Sequence, residues 1–270
     1  MKPASSQVEC RLLVDKPAGG AWNMAVDELL FEQAAAAGRW TLRLYQWDRP
    51  TLSLGYFQSH QLRASHPASA ACPLVRRVSG GGAILHDREL TYCLAVPEEH
   101  PLATDAARLY RAVHGSLVEA LARLGIESEM NEAAAPAPIK PRPLVAGSSV
   151  AGVAAPADEP FLCFQRRSVG DVLVQDFKVI GSAQRRRRGA ILQHGSILLA
   201  ASAAAPELPG IQELSGQEMS AKRMQSAWLN LFKARLGVRL ACAELEPAEI
   251  EAAGRLEAEK FANPAWTLRR

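Results

Sequence analysis

No two cysteines are spaced as CxxC in this 270-residue sequence, and its five cysteines are scattered and odd in number. This pattern is typical of a reducing compartment, and it indicates neither a disulfide framework nor a zinc or other metal site. The opening MKPASSQVEC lacks the apolar segment of a signal peptide. No stretch approaches the ~18 apolar residues of a membrane helix. We therefore expect a cytoplasmic protein with no membrane partner.

Signatures of nucleic-acid and nucleotide binding are also missing. The sequence has no helix-turn-helix, RRM or KH signature, and no aromatic residues are interleaved with its basic residues. Its net charge is only +3, and the basic run at 185–188 taken alone is more often a solvated turn than a nucleic-acid site. No nucleic-acid partner is therefore expected.

The composition is that of an ordinary globular protein. Hydrophobic residues make up 48% and charged residues 22% of the chain, which is enough for a full core. Strand-like runs with helices between them predict an α+β fold, a single catalytic domain with a mixed, largely antiparallel β-sheet flanked by helices. We place this domain at 1–240 and a C-terminal helical tail at 241–270. The segment 132–160 is rich in Ala, Pro, Gly and Ser, and so long a loop is either disordered or functional.

Local signals predict the first elements. A helix is expected over 23–36, with Asn23 as its cap and two acidic residues in its first turns, where the helix dipole favours anions. The runs 41–47 and 51–57 look like paired strands joined by the turn DRP. The segment FLCFQ, which contains Cys163, is predicted to be a further strand.

Later helices carry clearer boundary signals. Thr104 is the expected cap of one helix, which Gly125 ends, and a second follows Ser220 and stops before Gly237. A final helix has Pro247 near its first turn, a position that proline favours.

The segment RRVSGGGAILHD, at 76–87, is the first signal of chemistry. Three successive glycines leave the backbone free of side chains, so a ligand can lie against it and contact amide N–H groups. The two preceding arginines are planar donors suited to phosphate or carboxylate. The alternative is a flexible hairpin with a basic flank. A Rossmann fingerprint is not supported, because the spacing differs and no helix follows.

The segment KVIGSAQRRRRGAILQHGSILL, at 178–199, is the second signal. A lysine beside a glycine turn can hold a carbonyl oxygen or stabilise charge that develops on it. The alternative for Lys178 is a solvated residue at a strand end. We interpret His194 as a hydrogen-bonded core histidine that shapes a pocket rather than as a catalytic group.

Cys163 is the third signal, fifteen residues before Lys178. Attack by cysteine needs the thiolate, which a nearby ammonium favours, and adjacent strands could bring the two side chains together. Spacing alone leaves a nucleophile and a buried apolar filler equally open. The remaining cysteines are predicted to be packing residues: Cys10, Cys72, Cys93 and Cys242.

Together these segments resemble the biotin/lipoate protein ligase superfamily, specifically its lipoate-attachment branch. RRVSGGGAILHD is similar to that branch's RRxSGGGAVxHD signature, and KVIGSAQ…HGS is similar to its K-hydrophobic-x-GSAQ…HGS segment. NMAVDELL and EKFANPAWTLRR are similar to the family's ends, whereas the GRGRRG-type loop of the biotin branch is absent. CFQRRSVGDVLVQDFK most resembles LipM-type octanoyltransferases, in which an acyl-accepting cysteine begins a Cys-Phe-x3-Ser run. An aromatic-Glu pair usual in that group is Gly170-Asp171 here, which we expect to affect loop packing more than chemistry.

The resemblance implies acyl transfer in two steps without a cofactor. Cys163 would attack octanoyl-acyl carrier protein, and a lysine of a lipoyl domain would then take the octanoyl group from the enzyme. That acceptor would be a protein such as the glycine cleavage H protein or a dehydrogenase E2 subunit. Lys178 would favour the thiolate and stabilise the oxyanion. The other residues implied at the substrate site are Arg76, Arg77, Ser79, Gly80, Gly81, Gly82, His86, Gly181, Ser182, Ala183, Gln184 and His194.

Because acyl carrier proteins are acidic, Arg166, Arg167 and the run 185–188 are expected to dock the donor. An ATP-dependent lipoate ligase is the alternative enzyme; it would use free lipoate, ATP and magnesium and would not need Cys163. A non-enzymatic carrier of a lipoyl or octanoyl group is a third reading.

Overall fold

Two β-sheets organise the fold, which the computed structural model describes for residues 8–132, 160–187 and 189–270. The strands are β1 (Val8–Val14), β2 (Thr41–Tyr45), β3 (Thr51–Leu54), β4 (Leu74–Arg76), β5 (Ile84–His86), β6 (Glu89–Pro97), β7 (Glu129–Met130), β8 (Val172–Val174), β9 (Phe177–Arg187), β10 (Ala190–Leu198) and β11 (Val238–Ala243). The α-helices are α1 (Gly20–Ala37), α2 (Ala106–Arg123), α3 (Ile211–Ser215), α4 (Ala221–Leu236), α5 (Pro247–Leu256) and α6 (Pro264–Thr267).

The larger sheet has eight strands in the order β11-β1-β2-β6-β10-β9-β8-β7. Its strand β1 is parallel to both β2 and β11, and the other neighbours are antiparallel. The smaller sheet has the order β4-β3-β5. The predicted mixed, largely antiparallel sheet with flanking helices is confirmed.

Helices cover both faces of the larger sheet. Leu94 of β6 faces α2 and α4, where Trp228 is fully buried, whereas its neighbour Ala95 faces α1. Side chains alternate between the two faces of a strand, so both faces must be apolar when both are covered. All nine residues of β6 and of β10 are accordingly buried. No described helix has the length and apolar character needed to cross a bilayer.

Helix α1 begins a turn earlier than the sequence predicts. Its N-cap is Gly19, and Asn23 lies inside the helix, where its amide donates to backbone carbonyls. The extra turn is possible because Gly20 passes close to the smaller sheet. A Cβ at Gly20 would lie 2.9 Å from side-chain carbons of both Thr51 and Val75. The two acidic residues expected to favour the helix dipole are instead buried and paired with cations.

The predicted pairing of the second and third strands is wrong, because β2 and β3 belong to different sheets. Between them, Asp48 N donates to Ala18 O at 3.1 Å, which draws the chain away from the larger sheet. Every residue of β2 and β3 is buried, so neither strand has the alternation of buried and exposed side chains that would indicate its partner.

The later helices follow their boundary signals closely. Helix α2 is capped by Asp105 rather than by Thr104, because the Asp105 carboxylate accepts two backbone N–H groups. Ser220 caps α4, Gly237 ends it in a left-handed conformation, and Pro247 is the first residue of α5.

The boundary drawn at residue 240 falls inside β11, which pairs with β1. The residues after it continue into α5 and pack on α1, with Ala253 and Phe261 in the core between them. Residues 241–270 are therefore built into the same fold. Cys242 lies exposed on β11 and is not the packing residue that we predicted, because β11 is an edge strand.

Candidate active site

Cys163 begins a short 3-10 turn, Cys163–Gln165, and not the strand predicted for FLCFQ. Its backbone N donates to Ala83 O at 2.7 Å, and Ala83 N donates to Phe161 O at 3.0 Å. This single bridge fixes the segment against the triple-glycine loop before the chain turns back, so no strand develops. The thiol is half-buried, whereas Cys10, Cys72 and Cys93 are buried.

Lys178 is 4% exposed and lies against Cys163. Its Nζ is 3.7 Å from Cys163 Sγ and 3.4 Å from Cys163 O. The structure thus brings together the two side chains separated by fifteen residues. Gly181 makes this possible, because a Cβ there would lie 2.3 Å from Lys178 Cε.

A buried carboxylate completes this group. Asp171 Oδ2 is 2.8 Å from Lys178 Nζ, and the same carboxylate accepts from Ser168 N at 2.7 Å and from Tyr110 OH at 2.8 Å. The Gly170-Asp171 departure was expected to affect loop packing more than chemistry; the structure places Asp171 in contact with Lys178, a predicted catalytic residue. Gly170 provides room for the Tyr110 ring, whose carbons would lie 2.8 Å from a Cβ at that position.

Sequence reasoning did not identify Asp171 or Tyr110 as site residues. A signal was present in α2, where Tyr110 and His114 lie four residues apart beside the apolar stripe and therefore share one face. Nothing in that spacing, however, indicates which carboxylate the tyrosine meets.

The charge of Lys178 follows from its two anionic neighbours. Burial alone would lower the pKa of Lys178, but the negative charges of Cys163 and Asp171, and hydrogen bonds to both, leave that pKa above its usual value. The amine is therefore an ammonium at neutral pH. A fixed cation at this place favours the thiolate of Cys163 and any oxyanion that forms beside it.

The triple-glycine loop is supported from beneath by Arg77, which is 2% exposed. Its guanidinium donates to Gly80 O at 2.8 Å, to Gly82 O at 2.7 Å and to Ser53 O at 3.0 Å. Burial lowers the pKa of Arg77 to about 10, although the negative charge of Cys163 opposes the change. Arg77 is therefore a second buried cation close to the thiol.

Gly81 is the glycine of this loop that faces Cys163. Its φ is +91°, a conformation that favours glycine, and a Cβ there would lie 4.0 Å from Cys163 Sγ. The side chain of Arg166 packs against the next glycine, Gly82, where a Cβ would lie 3.0 Å from Arg166 Cζ. Bare backbone thus borders the thiol on this side.

The resemblance implied that Arg76 contacts the substrate, but the structure shows its side chain bound to other parts of the protein. It is fully buried, and its donors are taken by protein carbonyls, including Gly55 O at 2.8 Å, Gln58 O at 2.6 Å and Thr267 O at 2.8 Å. Arg76 therefore ties the loop after β3 to α6.

His86, Ser79 and His194 lie in the polar interior below the loop. His86 is hydrogen-bonded to Ser53 Oγ at 2.8 Å and to a Glu89 carboxylate oxygen at 2.6 Å. His194 Nε2 is hydrogen-bonded to Ser79 Oγ, and its Nδ1 lies 3.4 Å from an Asp27 carboxylate oxygen. Both histidines are buried, and His194 is hydrogen-bonded, which agrees with its interpretation as a core histidine.

The GSAQ segment of β9 joins another interior network. Ser182 Oγ is hydrogen-bonded to Tyr92 OH at 2.5 Å and to His114 Nε2 at 2.6 Å, and Ser182 N donates to Tyr110 OH at 3.2 Å. Gln184 donates to a side-chain oxygen of the neighbouring strand at 2.7 Å, and half-buried Ala183 lies between Ser182 and Gln184. Ser182 is thus linked through Tyr110 to the carboxylate that holds Lys178.

The described arginines of the basic run, 185–187, do not form one surface. Arg186 and Arg187 approach carboxylates of this chain, Glu98 at 3.8 Å and Glu28 at 2.9 Å, whereas Arg185 lies over an aromatic ring. Arg188 and most of the 132–160 insert lie outside the described residues.

Arg167 approaches the Asp176 carboxylate at 3.8 Å, and Arg166 donates to Pro160 O at 2.6 Å.

Within the described part of the chain, no three acidic, histidine or cysteine side chains group as metal ligands. The described arrangement can therefore supply a thiol nucleophile, a fixed ammonium and exposed loop backbone.

Known proteins with similar sequences match nearly the whole chain. The chain is 36% identical over 285 residues to octanoyltransferase LipM of Kyrpidia tusciae, covering 96% of this chain and 98% of that relative. It is 32% identical over 286 residues to octanoyltransferase LipM of Brevibacillus brevis, covering 96% and 99% of the two chains.

The fold also matches solved structures. A bipartite lipoate protein ligase from Thermoplasma acidophilum superposes with a TM-score of 0.72 at 19% identity, over 97% of this chain and 96% of that one. At this identity the likeness shows the fold alone.

A family model, the lipoyl protein ligase A/B catalytic domain, matches residues 20–227. That range includes Cys163, Lys178, Asp171 and the triple-glycine loop. Because the match covers most of the chain and the full-length relatives exceed 30% identity, the chain belongs to the lipoyl protein ligase A/B catalytic domain family.

Proposed function

We propose that this chain is an octanoyltransferase that moves an octanoyl group from octanoyl-acyl carrier protein to a lysine of a lipoyl domain through a thioester on Cys163. The observation that carries this proposal is the 3.7 Å approach of Lys178 Nζ to Cys163 Sγ beside a bare glycine loop. The relatives named octanoyltransferase support the acyl group.

The first step forms the octanoyl-enzyme. The Cys163 thiolate attacks the carbonyl carbon of the donor thioester, a new C–S bond forms, and the donor C–S bond breaks. The leaving thiolate takes a proton and departs as the thiol of the carrier protein. Lys178, as an ammonium, stabilises the attacking thiolate and the negative charge that develops on the carbonyl oxygen.

The second step releases the product. The neutral amine of the acceptor lysine attacks the Cys163 thioester, an amide bond forms, and the Cys163 thiolate leaves. The acceptor amine loses one proton to solvent in this step, and Lys178 again faces the negative charge of the leaving sulfur. The glycine cleavage H protein and dehydrogenase E2 subunits are acceptors of the required kind.

The direct test is intact-protein mass spectrometry after mixing with octanoyl-acyl carrier protein and no ATP. We expect one octanoyl adduct on the native chain, none on Cys163→Ala, and an unchanged adduct on the control variant Cys242→Ala, whose cysteine is exposed on β11. Transfer that survives Cys163→Ala undiminished would refute the covalent route. Modification that requires ATP and free lipoate would assign the chain to the ligases instead.

A further inference from the structure

The Tyr56 surface is a group of aromatic rings and arginines, half-buried except for exposed Phe57, beside the active site. It consists of Tyr56, Phe57, Arg185 and Arg269. Arg269 Cζ lies 3.8 Å and Arg185 Cζ 4.7 Å from the centre of the Tyr56 ring. Phe57 is 63% exposed, although it is a large apolar side chain. Residues far apart in the sequence therefore form one cationic, aromatic surface.

The two arginines of the Tyr56 surface differ from Arg187 of β9 in having no carboxylate partner among the described residues. Among the residues that the structure describes, neither Arg185 nor Arg269 is paired with a carboxylate, whereas Arg187 lies 2.9 Å from Glu28. The pKa of Tyr56 is lowered by a hydrogen bond to Arg269 and by the positive charges of Arg269 and Arg185. A local positive potential with no internal counter-charge is suited to an acidic partner.

Hydrogen bonds connect this surface to the candidate active site. Tyr56 N donates to Ser79 O at 2.8 Å, directly before the triple-glycine loop. The side chain of Gln58 donates to Phe161 O at 3.2 Å, two residues before Cys163. The Tyr56 surface thus lies next to the loop and segment that border the thiol.

We propose that the Tyr56 surface is the docking site for the acidic body of the acyl carrier protein that delivers the octanoyl group. This inference rests on the proposed function and names the surface that binds its donor. Arginine and aromatic side chains dominate the binding energy of many interfaces, and arginines already stacked on a ring lose less freedom on binding.

The geometry favours the donor over the acceptor. A carrier protein presents its thioester on a long flexible arm, so its body binds beside the thiol. An acceptor must bring the side chain of its own lysine to the thioester, so it has to sit over Cys163. The Tyr56 surface lies beside the site, next to the residue that precedes the glycine loop.

The test uses Arg185→Glu in the full chain, with Arg49→Glu as the control. Arg49 carries the same charge at the opposite end of β3 and has only an exposed contact with Asp48. For Arg185→Glu we expect kcat/KM for octanoyl-acyl carrier protein to fall about tenfold at low salt and by less as salt rises. Acylation of Cys163 by octanoyl-pantetheine, which lacks the acidic protein, should change by less than about twofold. Arg49→Glu should change neither rate.

Direct binding separates this proposal from the proposed function. Holo-acyl carrier protein, without an acyl group, should bind Cys163→Ala about tenfold more tightly than Cys163→Ala/Arg185→Glu. Phe57→Ala, at an exposed site that folding does not require, should also weaken that binding. Unchanged carrier binding in these variants, or weakened binding of an apo-lipoyl domain alone, would overturn the docking proposal. A native chain that binds carrier but forms no thioester would refute the proposed function and leave the docking site supported.

Discussion

Lys178 Nζ lies between the Asp171 carboxylate at 2.8 Å and the Cys163 thiol at 3.7 Å. Because Lys178 and Asp171 are both buried, water screens their interaction little. Asp171 touches Lys178 and not the thiol, so it is a positioning residue that holds the ammonium in place. Its charge also competes with the thiolate for the same cation.

This competition predicts the effect of Asp171→Asn. Removing the carboxylate leaves the Cys163 sulfur as the nearest partner of the Lys178 ammonium, so iodoacetamide should alkylate Cys163 faster at a fixed neutral pH. Octanoyl transfer should slow about tenfold, because Lys178 is no longer held.

Two variants control for packing at Asp171. Tyr110→Phe removes a hydrogen bond to the carboxylate but keeps its charge, and should leave the alkylation rate of Cys163 unchanged. Asp171→Glu should restore much of the transfer rate. Alkylation and transfer rates that are the same in Asp171→Asn and the native chain would contradict the positioning role.

Gly181 sets the path of the Lys178 side chain, because a Cβ at position 181 would lie only 2.3 Å from Lys178 Cε. Gly181→Ala should displace the ammonium and slow Cys163 acylation about a hundredfold, since misplacement by about 1 Å has effects of this size. Gly254→Ala is the matched control, because a Cβ in that helix meets nothing within 4 Å. It should stabilise the fold by about 0.5–1 kcal/mol and leave acylation unchanged. Equal acylation rates in both variants would show that Gly181 does not position Lys178.

Motif spacing could predict the residues that lie together in this site but not all of their partners. The Cys163–Lys178 interval was compatible with a thiol and an ammonium side by side, and the family resemblance implied this arrangement; the predicted turn at GSAQ is wrong, because GSAQ lies within β9. Asp171 escaped notice because its contact depends on the Gly170 turn and on Tyr110 of a distant helix, and neither leaves a local pattern. Arg76 lies in a motif typical of ligand donors, yet its side-chain donors are taken by carbonyls of two segments, the loop after β3 and α6.

At the scale of elements, boundary signals predicted helices better than strand pairing. Ser220, Gly237 and Pro247 act within one turn of backbone, so their meaning is local. The partners of β2 and β3 depend on which face each strand covers, and both are buried at every position. The sequence after residue 240 looks like a helical tail because β11 is a short edge strand with a mixed burial pattern.

Helix α5 is joined to β1 by a buried ion pair. Arg11 donates to both oxygens of Glu249, each at 2.6 Å, and Glu249 is 4% exposed. Breaking a buried pair leaves an uncompensated charge, so Glu249→Gln should cost about 3 kcal/mol in the free energy of unfolding. Glu251→Gln, which breaks the exposed pair with Arg255, should cost less than about 0.5 kcal/mol. Urea denaturation followed by circular dichroism measures both.

The same experiment tests whether residues 241–270 fold with the rest of the chain. Because α5 packs on α1 and is tied to β1, we expect one transition whose midpoint moves as a whole in Glu249→Gln. A separate early transition, with most of the signal unaffected, would show that these residues unfold as an independent tail.

Across the whole molecule, buried histidines couple stability to pH. His114 is fully buried between α2 and the sheet, and burial lowers its pKa to about 4, although a hydrogen bond to Gly170 and the charge of Asp171 oppose the shift. Burial also lowers the pKa of His194, against the opposing effect of Asp27. Both shifts have the same sign, so their effects on stability add.

The sign of the pH effect follows from proton uptake. Between pH 4 and 6.5 the unfolded chain holds a proton on His114 that the folded chain does not, so stability falls as pH falls through this range. For His114 alone the loss of unfolding free energy approaches about 3 kcal/mol below pH 4.

The variant His114→Gln tests this effect. Its side-chain amide still offers one donor and one acceptor to the two partners of the ring, Gly170 O and Ser182 Oγ. It should therefore flatten the plot of unfolding free energy against pH between 6.5 and 4, with a residual slope from His194. Equal slopes in the native chain and His114→Gln would exclude His114 as a source of the pH dependence.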